Sequence, residues 1–429
     1  MWELDVSSTN VIEWLVLFAV AAVVTMLLVP VAKALATKCN AIDYPSARRV
    51  NKKPIPRMGG VAMLGGLVAA LVVVLVGMEF FGWDNPFVPH SSLDVNYIGV
   101  GISVLVMFAV GLVDDIVSLN PKVKFLGQVV AACIAVASGL LLSSMRSPVG
   151  DGTIYFGWFS YPLTVFYLVA FANVINLIDG LDGLAAGITA ISGFTIFLLS
   201  VMTGRPDAAV MAIALVGACV GFLRFNFYPA SIFMGDSGSL LLGYSLGVVS
   251  LFAVARASAF VSLLVPLLAA GVPILDTAFA IVRRLRAHKP IDEPDKEHIH
   301  HRLMESGFSQ RTTVLIMWAW TALLSICGIL ITALDGIARV IAIVVIVIIT
   351  IIFVYKLHLL QPVLIHHYHP RGSADDAEQV GGDSGAEGLE ADAGSDGQAE
   401  SASREAADVT GALEGAGSSG AGGGSPGRG

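Results

Sequence analysis

Charge is scarce in this chain. Asp, Glu, Lys and Arg make up 14% of its 429 residues, while 55% are hydrophobic; a soluble globular domain carries roughly 25% charged residues. That shortage excludes an ordinary soluble enzyme and points to a polytopic membrane protein. Cysteine is scarce too. Cys39, Cys133, Cys219 and Cys327 form no Cys-x-x-Cys pair, and the last three fall in apolar runs, which excludes a disulfide framework or zinc ribbon and reads as small packing residues. There is no Gly-x-x-x-x-Gly-Lys-[Ser/Thr] stretch, so a P-loop is excluded. The first residues, Met-Trp-Glu-Leu-Asp, lack the basic segment of a secretory signal, so the first apolar run reads as a retained helix. No internal repeat is evident, and an inverted-repeat transporter would show one. The net charge of −8 does not describe the apolar body either. From Ser373 onward twelve Asp and Glu face only Arg404 and Arg428, so the whole excess lies in the C-terminal segment.

What is abundant is long apolar sequence. A bilayer-spanning helix needs about 20 mostly apolar residues. Eleven runs qualify, at 11–36, 60–78, 96–113, 125–144, 159–176, 183–202, 208–228, 238–254, 259–283, 312–333 and 338–357. The expected fold is therefore all-α, an integral membrane domain over residues 1–371. Residues 372–429, rich in Gly, Ala, Ser, Asp and Glu, are expected to be a disordered acidic cytoplasmic tail, because they offer too little apolar surface to offset ordering entropy. Lys and Arg follow the odd-numbered runs: Lys38, Arg48, Arg49, Lys52, Lys53 and Arg57 after the first, Lys122 and Lys124 after the third, and seven from Arg283 to Arg311 after the ninth. The opposite loops hold only Arg146, Arg205, Arg256 and Arg339. By the positive-inside rule the N-terminus is outside and the C-terminus cytoplasmic.

That topology sends three acidic motifs to one membrane face, although none of their residues entered the charge count. Asp114-Asp115 ends the third run. Adjacent carboxylates cannot share one helix side, so one can bind a cation or act as a base while the other braces the loop. Asn173-Val-Ile-Asn176-Leu-Ile-Asp179-Gly-Leu-Asp182-Gly places a polar residue at every third position. On a continuous helix neighbouring pairs meet but the stripe turns, making Asn176 and Asp179 the best candidates to share a site. Against this stands a simple polar cap followed by Gly. Phe233-Met-Gly-Asp236-Ser-Gly-Ser239 sets Asp236 between small residues, where it can ligate a hard cation such as Mg²⁺; the alternative is an N-cap in a Gly-rich turn. After the ninth run, His298-Ile-His300-His301-Arg302 can be a zinc site, a set of donors to a sugar diphosphate, or a solvated basic loop.

In this order, Asp-Asp, Asn-x-x-Asp-Gly-x-Asp-Gly, Phe-Met-Gly-Asp-x-Gly-Ser and His-x-His-His closely resemble the motifs of the polyprenyl-phosphate N-acetylhexosamine-1-phosphate transferases. The resemblance covers about residues 10–360. It implies an inner-membrane enzyme with its site on the cytoplasmic face, in which undecaprenyl or decaprenyl phosphate attacks a UDP-sugar and UMP leaves. It implies Mg²⁺, or Mn²⁺ in its place, with Asp236 as metal carboxylate and Asn176 against the metal. Asp114 and Asp115 are implied to be catalytic, acting on the lipid phosphate. Lys52, Lys124, Asp179, Asp182, Asn226, Phe233, His298, His300, His301 and Arg302 are implied to contact nucleotide, phosphate or sugar. The peptidoglycan branch, which uses UDP-MurNAc-pentapeptide, typically reads His-His-His-Phe-Glu; His298-Ile-His300-His301-Arg302-Leu303 resembles the UDP-GlcNAc branch instead. The implied partners are UDP-GlcNAc, polyprenyl phosphate, the bilayer and a second copy of the chain, with no nucleic acid. An ion-coupled transporter is the competing class, but its acids should lie near the bilayer midplane.

Overall fold

The computed structural model describes residues 8–45, 53–87, 95–146, 152–254, 307–332 and 336–356, together with Leu303 and Leu334. These residues form α1 (Ser8–Lys38), β1 (Ile42–Asp43), β2 (Ile55–Pro56), α2 (Gly59–Phe80), α3 (Tyr97–Val117), α4 (Pro121–Ala137), β3 (Ser144–Arg146), β4 (Thr153–Tyr155), a single 3₁₀ turn at Gly157–Phe159, α5 (Ser160–Ile178), α6 (Leu184–Met202), α7 (Pro206–Asn226), α8 (Gly235–Val254), α9 (Gln310–Thr332) and α10 (Gly336–Lys356). The chain is mostly helical, and it is a multi-pass membrane protein. Among the described residues eight helices are long and apolar enough to cross a bilayer: α1, α2, α3, α5 with its preceding 3₁₀ turn, α6, α7, α8 and α9. The run expected at 125–144 becomes a 17-residue helix that stops at Ala137, and the last run forms the 21-residue α10. The run at 259–283 and the C-terminal segment lie outside the described residues.

Two antiparallel ribbons depart from the all-helical expectation. β1 pairs with β2, Ile42 opposite Pro56, and β3 pairs with β4, Met145 opposite Ile154. Both sit in loops between helices.

The core is organised around α8. Some 94% of its spanning stretch is buried, against 33% for α1 and α2, so α8 is the inner helix and the others form its wall. Its sequence explains the position. Gly235, Ser237, Gly238, Ser239, Gly243, Ser245 and Gly247 give it a slim surface, and small residues let neighbouring backbones approach closely in a membrane. Helices α2, α3, α5, α6 and α7 all pack on it. At the α3 crossing, a Cβ on Gly111 would stand 2.7 Å from the Cα of Ser237 and collide with the Asp236 carbonyl. One buried hydroxyl beside α3 and α4 is satisfied by the chain. The Tyr244 hydroxyl lies 3.1 Å from both Ser103 Oγ and the Ala131 carbonyl, two acceptors for its one proton.

Hydrogen bonds fix which helix ends lie together. Gly59 and Gly60 at the start of α2 donate their N–H groups to the carbonyls of Phe233 and Met234 just before α8. Lys33 near the end of α1 reaches Ser231 Oγ at 2.9 Å. Arg311 at the start of α9 donates to the Tyr228 carbonyl at 3.1 Å. The C-terminal ends of α1, α3, α5 and α7 therefore meet the N-terminal ends of α2, α4, α6, α8 and α9 at one pole of the bundle. At the other pole, the Tyr97 hydroxyl donates to Asp207, which Arg205 also holds at 2.9 Å.

Candidate active site

All three acidic motifs converge at the first pole. Helix α3 runs four residues past the expected apolar limit, so Asp114 and Asp115 occupy its last turn rather than a loop. Ser118 then closes the helix in the left-handed conformation (φ 52°), with its N–H on the Asp114 carbonyl. Asn120 caps α4, accepting from the Lys122 N–H, and Pro121 opens the helix, a position where a missing N–H costs nothing. This three-residue turn brings Lys124, in the first turn of α4, back over the end of α3. The Lys124 Nζ lies 2.9 Å from Asp114 Oδ2 and 2.8 Å from Asp236 Oδ1. The Asp114 Oδ1 accepts from the Leu119 N–H at 2.6 Å, so the turn itself fixes that carboxylate.

Adjacent in sequence, Asp114 and Asp115 do different things. Asp115 is 1% exposed, and both its oxygens are taken up by the start of α8. Oδ1 accepts from the Asp236 N–H at 2.8 Å; Oδ2 accepts from the Ser237 N–H at 3.0 Å and the Ser237 hydroxyl at 2.6 Å. The first N–H groups of a helix have no partner within it and carry partial positive charge, so a carboxylate there is well placed. It is Asp115, from another helix, that caps α8, and Asp236 is left free to point into the site. Gly235 makes this possible: its φ of +69° suits glycine, and a Cβ there would stand 2.5 Å from Asp115 Oδ2.

Asp236 is the hub. Its Oδ1 accepts from Lys124 Nζ and in a short contact from Asn176 Nδ2; the same Asn176 amide donates to Ser239 Oγ at 2.7 Å. The carboxyl groups of Asp114 and Asp236 also lie within hydrogen-bond reach of each other. One ammonium thus faces two carboxylates. Asp179 adds to the surplus. The polar stripe stops being helical where α5 ends at Ile178, and Asp179 sits at the C-cap. Burial, and then the charges of Asp236, Asp115 and Asp182, push the Asp179 carboxyl well above the ordinary carboxylate range.

Asp182 and Asn226 have clamping roles in the structure. Asp182 Oδ2 accepts from the Ala230 N–H at 2.8 Å. Asn226, 2% exposed, accepts from the Gly183 N–H at 3.0 Å and donates to the Ile232 carbonyl at 2.9 Å. Between them they tie the α5–α6 turn to the α7–α8 loop. Phe233 is half-buried and holds the same loop to β2 through its N–H, on the Pro56 carbonyl at 2.9 Å. Lys52, His298, His300, His301 and Arg302 lie outside the described residues.

Several site residues had no role assigned from sequence. Ser237 and Ser239 stand in the Phe233–Ser239 motif, where the sequence marks them only as small neighbours of Asp236. Arg57 counted only as loop charge, yet its Nη2 donates to the Asp115 carbonyl at 3.1 Å. Gln128, four residues after Lys124, pairs with Asn173.

The donor set is hard oxygen: Asp114, Asp236 and Asp179, with the Asn176 amide beside them. Among the described residues no three His, Cys, Asp or Glu side chains gather into a ready-made metal cage. The hard oxygen donors present fit an ion held by one or two carboxylates and completed by water and phosphate oxygens, the habit of Mg²⁺.

A family model described as Glycosyl transferase family 4 matches residues 97–254, the stretch from α3 to α8 that supplies Asp114, Asp115, Lys124, Asn176, Asp179 and Asp236. Beyond it, the chain is 38% identical over 322 residues to the "Probable undecaprenyl-phosphate N-acetylglucosaminyl 1-phosphate transferase" of Bacillus subtilis, covering 75% of this chain and 86% of the relative. The chain belongs to glycosyl transferase family 4. A "Decaprenyl-phosphate N-acetylglucosaminephosphotransferase" of Mycolicibacterium smegmatis is 37% identical over 71% of this chain and 79% of its own length. An "Undecaprenyl-phosphate alpha-N-acetylglucosaminyl 1-phosphate transferase" of Escherichia coli is 28% identical over 70% and 78%. As a family 4 member the chain is a transferase, and the similarity to the Bacillus subtilis relative runs over 322 residues, well beyond the length of the 97–254 match.

Proposed function

We propose that the protein transfers GlcNAc-1-phosphate from UDP-GlcNAc to a polyprenyl phosphate, giving polyprenyl-diphosphate-GlcNAc and UMP. The observation that carries this reading is the bridge of Lys124 between Asp114 and Asp236, with Asn176 on the same Asp236 oxygen. A carboxylate-rich cluster with one fixed ammonium suits a diphosphate brought in with a divalent cation. It sits at the helix ends, where a lipid phosphate travels, and not at mid-membrane, where a transporter's coupling acids belong. The names of the relatives support the donor and acceptor classes.

A phosphate oxygen of the lipid attacks the sugar-linked phosphorus of the UDP-sugar. The new P–O bond forms as the bond to the UMP oxygen breaks, and one phosphoanhydride replaces another. Such transfers need positioning and charge neutralisation more than covalent help. Asp114 is the group placed to hold or accept the proton of an incoming lipid phosphate, and Lys124 neutralises charge on the phosphates. Asp115 keeps Asp236 in register. Mg²⁺, which Asp236 with Asp114 or Asp179 would hold, supplies charge neutralisation at the diphosphate oxygens. In this reading residues 1–371 are the catalytic membrane domain, the N-terminus is outside and the site faces the cytoplasm. The segment 372–429 is accessory.

The test is UMP release by detergent-purified protein given UDP-GlcNAc, polyprenyl phosphate and Mg²⁺, with UDP-MurNAc-pentapeptide as the comparison donor. Release that requires the lipid and prefers UDP-GlcNAc is expected; no lipid-dependent release from either donor would defeat the proposal.

A further inference from the structure

Two residues outside the charged cluster repeat its geometry one turn deeper. Lys124 and Gln128 lie four apart on α4, and Asn173 and Asn176 three apart on α5; both spacings put the pair on one helix face. The upper members meet at a single atom, since Lys124 Nζ and Asn176 Nδ2 both donate to Asp236 Oδ1. The lower members meet each other. Asn173 Nδ2 donates to Gln128 Oε1 at 2.6 Å, and Gln128 Nε2 donates back to Asn173 Oδ1 at 3.3 Å. The second Asn173 N–H is used by the Val169 carbonyl at 2.8 Å, so the orientation of the asparagine amide is fixed by its own helix. Gln128 is 1% exposed.

This arrangement is not the cheapest way to pack α4 on α5. Buried amides must be desolvated, and a satisfied polar pair adds little net stability over a well-packed apolar one. What an amide pair adds is geometry. It fixes one separation and one axial register between two helices, whereas apolar side chains tolerate sliding. We infer that Gln128 and Asn173 are a positioning pair, which sets the α4–α5 separation at which Lys124 and Asn176 converge on Asp236. The inference rests on the proposed transfer reaction and adds to it two residues that touch neither substrate nor any reacting atom. Misplacement of a charge-neutralising group by about an ångström costs on the order of 10²-fold in rate.

The experiment uses the full chain in detergent with four variants: Gln128→Leu, Asn173→Leu, the double Gln128→Leu/Asn173→Leu, and the swap Gln128→Asn/Asn173→Gln. Thermal midpoint, kcat and KM for UDP-GlcNAc are measured for each. The single variants, each leaving one buried amide unpaired, are expected to lower both the midpoint and kcat. The double variant is expected to regain the wild-type midpoint yet keep kcat down ~10-fold to 100-fold, with KM within about twofold because uniform binding is untouched. The swap, which restores a reciprocal amide pair of the same total length, is expected to recover most of kcat. A pair with only a structural role would give a double variant with wild-type midpoint and wild-type kcat, and that result overturns the inference even if the single variants do not fold. A swap as slow as the double variant would overturn it as well. A wild-type protein that releases no UMP would instead defeat the transfer reading itself, so the two failures are distinct.

Discussion

Asp115, in the last turn of α3, holds two amides in the first turn of the helix that carries Asp236, receiving Asp236 N–H at 2.8 Å and Ser237 N–H at 3.0 Å. Helix α8 is the inner helix of the bundle, and its start carries Asp236, the carboxylate on which Lys124 and Asn176 converge. A cap contributed by its own chain neighbour would fix only the local turn; a cap contributed by α3 fixes α8 against the helix that also presents Asp114. The two acids are therefore parts of one device. Asp115 sets where Asp236 stands, and Asp114 faces it across Lys124.

Asp115→Asn tests this directly. The amide keeps one acceptor oxygen and turns an N–H₂ toward a site built from donors, so at least one buried N–H loses its partner. Such a loss costs ~1–3 kcal/mol. The thermal midpoint in detergent should fall by several degrees, and UMP release by ~10-fold or more as Asp236 loses its register. Ser237→Ala, which removes the hydroxyl contacts to Asp115 and Met234 and leaves both backbone bonds of the cap, should cost about 1 kcal/mol and much less activity. Equal effects of the two variants would show that the cap is not what aims Asp236.

How far this device is legible in the sequence depends on the kind of constraint. Hydrophobic runs and the alternation of basic loops are one-dimensional signals, and they bring Asp114, Asn176 and Asp236 to one pole before any coordinate is known. The division of labour between Asp114 and Asp115 is not one-dimensional. It depends on where α3 ends, and the helix overruns the apolar limit by four residues, to Val117. A cap donated across the bundle leaves no local pattern, so Asp236 itself reads as an N-cap candidate. The backbone bonds of Asn226 and Asp182 are hidden for the same reason. Polar residues beside a motif suggest ligand contacts, yet their partners in the structure are the backbone groups of Gly183, Ile232 and Ala230. The pairing of Gln128 with Asn173 is invisible until α4 and α5 are seen side by side.

Lys124 should resist conservative replacement. It serves two carboxylates from one point, 2.9 Å and 2.8 Å away, and its side chain is 18% exposed. Arginine keeps the charge but spreads it over a planar fork, which cannot occupy the same point between Asp114 and Asp236. Both Lys124→Arg and Lys124→Met are expected to reduce kcat by on the order of 10²-fold, with the Met variant also harder to purify because two facing carboxylates lose their counter-charge. Near-normal turnover by Lys124→Arg would mean that charge alone matters at this position.

The proposed metal dependence rests on the oxygen-rich set of Asp114, Asp236 and Asp179. Because substrate phosphates would complete the coordination, the ion should bind weakly to the free protein and more tightly with UDP-GlcNAc present. Treatment with EDTA should abolish UMP release, and added Mg²⁺ should restore it. In Asp236→Asn, raising Mg²⁺ should not return more than a small fraction of the activity. Full activity after thorough chelation would remove the metal from the reaction.

Asp182 allows a pH prediction with a definite sign. Burial raises its carboxyl above the ordinary range, and the Ala230 N–H and the Gln310 side chain pull it back only in part. A raised native pKa means that the folded protein binds this proton more tightly than the unfolded chain does. Ionised Asp182 therefore costs stability at neutral pH, and that cost disappears as pH falls through the raised native value toward the ordinary carboxylate range. Asparagine has the same shape, can still accept from the Ala230 N–H, and carries no charge to desolvate. Asp182→Asn should thus have a midpoint at neutral pH equal to or above that of the wild type, and the difference should shrink as the pH is lowered toward about 4. Thermal unfolding of both proteins across that range measures it. A variant that is less stable at neutral pH, with a deficit that narrows on acidification, would mean that the ionised carboxylate strengthens the Ala230 clamp by more than its burial costs. The link between the α5–α6 turn and the α7–α8 loop would then depend on charge, and Asp182 would belong with the acids that need a cation nearby.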